Sequence, residues 1–189
     1  MADLYVAGAG RAVSDLPALN DPSGFLPAIQ SKARLIQEGF AAGQGAAPKG
    51  LRADGLLFAG MGFSGMCANL VKDAATRSLD VPFSVVKHYQ FPHHVKKGWH
   101  CLAITYSGET EETLNVVRAA QARGVDVTSF STGGSIAKMV ARNVPQPPGF
   151  QPRAAFGYSW FSVLGFLEGS GLLKDKIPVA DAIEAVREV

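Results

Sequence analysis

From Leu56 to Val144 the chain repeats one pattern: a short apolar run, a turn, then a stretch with apolar residues at helical spacing. Leu56–Ala59, Phe83–Val86, Leu102–Thr105 and Val125–Phe130 are the predicted strands, with a short fifth at Val144. Ser64 to about Arg77, with Met66, Leu70 and Ala74 on one face, Thr110–Arg123, and Ser135 to about Arg142 are the helices between them. Such alternation predicts a parallel sheet with helices on both faces and a ligand site beyond the carboxyl ends of the strands. Both glycine-rich turns, after Ala59 and after Thr105, fall at those ends. The predicted site is where they meet.

The flanking segments carry less pattern. Met1–Ser23 has little periodicity and is expected to be a loose arm. Leu26, Ile29, Ala33, Ile36 and Phe40 then mark a helix, with Ser23 as cap and Gly43 as stop. Ala42–Gly50 is expected to be a connector. Pro145–Pro152 is a stiff loop. An apolar helix from Arg153 to about Leu167 should follow it, with Phe156, Trp160, Val163 and Leu167 on its buried side. Val179–Val189 is a last amphipathic helix. These marks divide the chain into a leading arm and helix at 1–50, a ligand-binding domain at 51–175 and a closing helix at 176–189.

Composition excludes some classes. A net charge of +2 with scattered basic residues gives no footprint for nucleic acid. No apolar run reaches the roughly 20 residues of a membrane span, and no signal segment is visible, so a cytoplasmic protein is expected. Cys67 and Cys101 form no metal motif and are expected to be reduced thiols. Four histidines fall at 88, 93, 94 and 100 without a Cys, Asp or Glu to complete a ligand set, so a mobile, solvated loop is expected there and no metal.

The most informative stretch is Ile104–Leu114 (ITYSGETEETL). Thr105, Ser107 and Thr110 place three hydroxyls around Gly108 where a helix begins. A helix start presents unpaired N–H groups and positive dipole, which suits phosphate. Ser64, in the Gly60-Met61-Gly62-Phe63-Ser64-Gly65 turn, adds a fourth hydroxyl. That turn also has the G-x-G-x-x-G spacing of dinucleotide sites, yet Lys87 and His88 follow the second strand where a ribose-binding acid should stand. A tight turn without ligand is the third reading. Glu109, Glu111 and Glu112 suit the first turn of a helix whether or not they do chemistry. Thr132-Gly133-Gly134-Ser135 is a turn with a capping serine. Arg153 is either a solvated first-turn residue or a cation held to meet a phosphate or a developing oxyanion.

Taken together, Gly60-x-Gly62-x-Ser64-Gly65, Thr105-Tyr106-Ser107-Gly108-Glu109-Thr110-x-Glu112-Thr113-Leu114, Thr132-Gly133-Gly134 and Pro152-Arg153-Ala154-Ala155 resemble the sugar isomerase (SIS) domain. The likeness is strongest to the first half of the bifunctional phosphoglucose/phosphomannose isomerases and runs from about Leu56 to Leu173. It implies a three-layer sandwich around a five-stranded parallel sheet of flavodoxin-like order, with no cofactor. It implies interconversion of glucose 6-phosphate or mannose 6-phosphate with fructose 6-phosphate. Gly62, Ser64, Gly65, Thr105, Ser107, Gly108 and Thr110 would bind the phosphosugar. Arg153 would do so too, and would stabilise the enediolate as the catalytic residue.

The family's catalytic glutamate and ring-opening histidine belong to a second sugar isomerase domain, beyond this sequence. This chain is therefore expected to supply the phosphosugar-binding half, completed by a copy of itself or by a second such domain. The apolar 153–167 helix and the uncapped last helix are expected to leave surface for that partner. The alternatives are a non-catalytic, regulatory or degenerate phosphosugar-binding module and a nucleotide-binding protein.

Overall fold

The computed structural model describes residues 25–187, so the expected arm, the Ser23 cap and the last two residues of the final helix lie outside it. Seven helices and five strands follow in the order α1 (Phe25–Gln30), α2 (Lys32–Ala46), β1 (Gly55–Ala59), α3 (Gly62–Ala75), β2 (Phe83–Val86), β3 (Trp99–Ile104), α4 (Glu111–Ala122), β4 (Asp126–Ser131), α5 (Gly134–Met139), β5 (Arg142–Pro145), α6 (Phe156–Ser170) and α7 (Val179–Arg187). All strand pairs are parallel, in the order β2-β1-β3-β4-β5. That is the expected flavodoxin-like sheet.

The central strands β1 and β3 are buried along their whole length, as parallel strands covered on both faces must be. One core lies between the sheet and α2, α3 and α6, built on Phe58, Phe130, Phe166, Leu164 and Leu167. The other lies under α4 and α5, around Leu57, Cys101, Val117 and Ile136. The buried face of α3 is Gly65, Cys67, Ala68, Val71 and Ala75, whereas Met66 is exposed, so the expected 66/70/74 stripe sits off the core.

The leading helix departs from expectation twice. It is broken at Ser31, which sits between α1 and α2 with its hydroxyl bonded to the Ala28 carbonyl, and Ile29 is exposed. It also runs through Gly43 to Ala46 rather than stopping there. The reason is packing against α6. A methyl group at Gly39 would strike the Tyr158 carbonyl, one at Gly43 the Ser162 carbonyl, and one at Gly165 the Phe40 carbonyl. These glycines bring two helix backbones into contact; none of them ends a helix.

As a result α6 is buried on nearly every side, Tyr158, Ser159 and Phe161–Leu167 included. Its apolar surface is covered by α2 within the chain, which removes one of the expected reasons for a partner. The other expected surface, α7, packs its Val179, Ile183 and Val186 against the same core, half-buried. The helix also begins at Phe156, so Arg153 lies in the preceding turn and does not open it.

His100 also departs from expectation. It sits within β3, buried, with Nε2 3.0 Å from the Thr128 hydroxyl and its ring stacked on Phe166. Burial, aided by Arg142 and opposed by Asp126, pushes its pKa down to about 4. Both cysteines are buried free thiols, and burial raises both of their pKa values. Among the described residues no helix is long and apolar enough to cross a membrane.

Two predictions test this packing. Gly43→Ala forces α2 away from α6 and should cost about 1–3 kcal/mol in urea unfolding, the range for an overpacked core; an unchanged midpoint would contradict the close contact. His100 titrates near 6.5 when unfolded and near 4 when folded, so between those values the unfolded chain binds more protons. Stability should be full above pH 6.5 and fall by up to about 3 kcal/mol as pH drops toward 4. The fall should be smaller in His100→Gln, compared by urea unfolding at pH 7 and pH 5.

Candidate phosphate cradle at the crossover point

In the order 2-1-3-4-5 the chain runs outward in opposite directions from β1 and β3, leaving a crevice above their carboxyl ends. The turns after these two strands line it. They touch: a methyl group at Gly60 would lie 2.8 Å from the Ile104 carbonyl oxygen and about 3.2 Å from the Ser64 side chain. A methyl at Gly65 would meet the Gly60 carbonyl at 2.7 Å and the aliphatic stem of Lys87. The glycines are thus small because the β1 turn folds tightly over the β3 edge.

The two helices that leave these turns begin without a side-chain cap. Met61 precedes α3 and Thr110 precedes α4, and neither side chain bonds the helix's own N–H groups. Ser64 stands half-buried in the first turn of α3. In the β3 turn the buried Thr105 hydroxyl lies 2.8 Å from that of Thr110. One proton suffices for this bond, which leaves the pair a second proton for a ligand. The exposed Ser107 accepts the Glu109 N–H at its Oγ, 3.2 Å, so its own hydrogen is also free to donate. Thr105, Ser107 and Thr110 therefore lie in the turn before α4, and Ser64 in the first turn of α3 that leaves the neighbouring strand end; neutral donors at uncapped helix starts suit an anion.

The β3 turn is braced by the turn after β4. Gly108 has φ +76°, and a methyl there would run into the Gly133 carbonyl. Thr132 N–H donates to the Tyr106 carbonyl at 2.9 Å and Ile136 N–H to the Gly108 carbonyl at 3.1 Å. Glu109 completes the brace: its carboxylate accepts the Ser135 N–H at 2.6 Å. The bonds from Ser135, side chain and backbone, hold the Glu109 carboxyl below the usual carboxylate range. Ser135 is thus the residue being capped, not the expected cap. Glu111 is exposed and takes a 3.3 Å bond from the Tyr89 hydroxyl, as its place in a first helical turn allows.

Arg153 is exposed. Its Nε and one terminal nitrogen both donate to the Gln151 side-chain oxygen, at 3.0 and 2.7 Å, and its guanidinium lies 5.5 Å from the centre of the Phe25 ring. It forms no ion pair among the described residues. The adjacent Pro152 shares a small recess with Ser64, Tyr106, Phe156 and Ser159, which sets the end of the proline loop beside the cradle. His88, His93 and His94 line a separate cavity of about 820 Å³ beside β2 and α4, to which no cradle residue contributes. That loop is tied down by Asn115, which donates to the Tyr89 carbonyl, and by Arg123, which donates to that of Pro92 and lies over Phe91. His94 is bonded to Ser84; the loop is solvated as expected, with His88, His93 and His94 exposed, and it is fastened at these points. Among the described residues no group of His, Cys, Asp and Glu gathers as metal ligands do. Asp80, the acid nearest in sequence to a ribose-binding position, is paired with Lys174 instead.

Sequence reasoning missed three contacts. Glu109 and Ser135 are 26 positions apart, and only the strand order brings them together. The Tyr106 hydroxyl reaches the proline loop, which no local pattern announces. Lys87 lays its stem on Gly65, a placement signalled only by its position just after β2.

Comparison with known proteins agrees with this fold. No family model matches the chain. The bifunctional phosphoglucose/phosphomannose isomerase of Caldicellulosiruptor bescii is 32% identical over 140 residues, 72% of this chain and 40% of that protein. The enzyme of the same name from Aquifex aeolicus is 34% identical over 139 residues, 71% and 42% of the two chains. The chain thus spans about two fifths of the length of these relatives. Among solved structures, the C-terminal domain of glucosamine-fructose-6-phosphate aminotransferase from Francisella tularensis superposes with a TM-score of 0.66 at 16% identity, over 87% of this chain and 53% of that one. The sugar isomerase domain of the RpiR transcription factor from Sphaerobacter thermophilus gives 0.54 at 14%, over 88% and 97%. The Vibrio vulnificus NanR protein, complexed with ManNAc-6P, gives 0.54 at 15%, over 88% and 65%. The chain is a sugar isomerase (SIS) domain by fold and, by sequence, a relative of the bifunctional phosphoglucose/phosphomannose isomerases.

Proposed function

We propose that this chain supplies the phosphosugar-binding half of an isomerase that interconverts glucose 6-phosphate or mannose 6-phosphate with fructose 6-phosphate. The observation that carries the reading is that the turns bearing Ser64 and bearing Thr105, Ser107 and Thr110 touch through Gly60 and lead into two uncapped helix starts at the β1/β3 crevice. Gly62, Gly65 and Gly108 shape that cradle. The names of the sequence relatives supply the reaction.

A phosphate dianion held there is met by hydroxyl and amide donors, while the carboxylate of Glu109 is engaged by Ser135. The sugar then extends toward the end of the proline loop, where Arg153 would turn from Gln151 to the reacting carbons. Aldose–ketose exchange moves a proton between C1 and C2 through an enediolate, whose negative charge a guanidinium stabilises. The reading assigns the base and the ring-opening acid to a second sugar isomerase domain, in the same polypeptide or in a second copy of this chain. A cytoplasmic location accords with two buried free thiols.

A second reading is favoured by the likeness to RpiR, whose sugar isomerase domain belongs to a transcription factor: a phosphosugar-binding module that regulates without catalysis. Proton NMR of the purified chain with fructose 6-phosphate in heavy water tests the second reading, which conversion would exclude. Glucose or mannose 6-phosphate deuterated at C2 would establish isomerisation; broadening of the sugar signals without conversion would leave a binding half or a sensor. Ser107→Ala should weaken phosphosugar binding by about 1–3 kcal/mol, the range for a charged acceptor that loses its donor. Equal affinity in calorimetry would refute the cradle.

A further inference from the structure

The cradle and Arg153 lie on different segments, joined by the proline-rich loop 145–152. A loop with prolines at 145, 147, 148 and 152 has few N–H groups with which to fix itself. Its entry is secured by α6 and β4. The Tyr158 hydroxyl donates to the Pro145 carbonyl at 3.1 Å, and Gln146 N–H donates to the Ser131 carbonyl at 2.9 Å. The Gln146 side chain is buried between Ser159 and Ser162, with bonds of 2.7 and 3.1 Å.

The later part is held differently. The Tyr106 hydroxyl donates to the Pro147 carbonyl at 2.7 Å and accepts the Phe150 N–H at 3.0 Å. One phenol thus closes the middle of the loop across three residues, and does so from inside the Thr105–Thr110 turn. Its hydroxyl has both roles filled, and partial burial raises its pKa, so it stays protonated as the donor requires. Beyond Phe150, Gln151 holds the Arg153 guanidinium and Pro152 rests in the recess shared with Tyr106 and Ser64.

We infer that Tyr106 is a positioning residue that fastens the arginine-bearing end of the proline loop to the phosphate cradle, so that one rigid body presents both the anion site and the Arg153 cation. This rests on the phosphosugar reading for its ligand, but not for its geometry. The hydroxyls of Thr105, Ser107 and Thr110 are bonded within their own turn and do not depend on the phenol. Removing the phenolic oxygen should therefore release the loop and spare the cradle.

Tyr106→Phe separates these parts. Without any ligand, amide exchange at Phe150, followed by NMR, should quicken at least tenfold in the variant while β3 and α4 amides stay as in wild type. Unchanged exchange at Phe150 would overturn the strut, and quickening throughout β3 and α4 would show a general structural role instead. Calorimetry then compares inorganic phosphate, which needs only the cradle, with fructose 6-phosphate, which also reaches Arg153. The variant should keep its phosphate affinity within about twofold and lose at least fivefold for fructose 6-phosphate. Equal losses for both ligands, or no loss for either, would overturn the coupling. If wild type binds neither ligand, the phosphosugar reading fails, while the exchange measurement still decides the strut.

Discussion

The parallel pairing of β1 with β3 governs the molecule. Once Gly55–Ala59 lies in register with Trp99–Ala103, the segment between them must cross over one face through α3 and β2. The chain after β3 must then turn the other way, toward β4. Two turns end side by side at one edge, and the Gly60–Ile104 contact leaves no room for a side chain between them. Two helix starts then face one crevice, which is an electrostatic consequence of topology before any side chain is considered. The hydroxyls of Ser64, Thr105, Ser107 and Thr110 refine that field into specific donors.

The second determinant is α6, placed where a single amphipathic helix would not suffice. It is apolar almost all round because it is covered on one side by the sheet and on the other by α2. Each of Phe166, Leu164 and Leu167 contributes on the order of 1.5–3 kcal/mol by burial. The glycine contacts let α2 approach closely enough to exclude water from the far side. This rigid base carries Tyr158, Ser159 and Ser162, which secure the start of the proline loop. Core packing on one face is therefore transmitted to the position of the loop above the cradle.

What could be read in advance follows the same division. The strands and the hydroxyl turn were legible because apolar period and turn chemistry are local properties, whereas the sheet order came only with the family resemblance. Gly43 misled because a glycine that permits helix contact looks like one that ends a helix; only the partner carbonyl of Ser162 distinguishes them. His100 misled because it follows three loop histidines and was grouped with them, whereas it lies within β3 and its neighbours in space are Phe166 and Thr128. The start of α6 was set three residues early because Arg153-Ala154-Ala155 has good helix propensity, and propensity does not reveal the turn that Pro152 begins. The roles of Glu109, Lys87 and Tyr106 are contacts between segments and have no local signature.

The charge pattern around the cradle bears on what it can select. Its donors are neutral, and the carboxylate within the turn, Glu109, is engaged at Ser135. A site of this kind binds a dianion through many short, oriented bonds instead of one ion pair, so removal of a single donor weakens it by degrees. Orientation then matters more than charge, because each hydroxyl accepts only a narrow range of oxygen positions. A phosphate fixed by several such donors fixes the first carbons of its sugar as well. In the proposed function the Arg153 cation stands on a separate segment, where it would meet charge that develops during reaction rather than charge already present. On that proposal, phosphate affinity and transition-state stabilisation would come from different loops. The rigidity between those loops becomes the quantity that the fold has to supply.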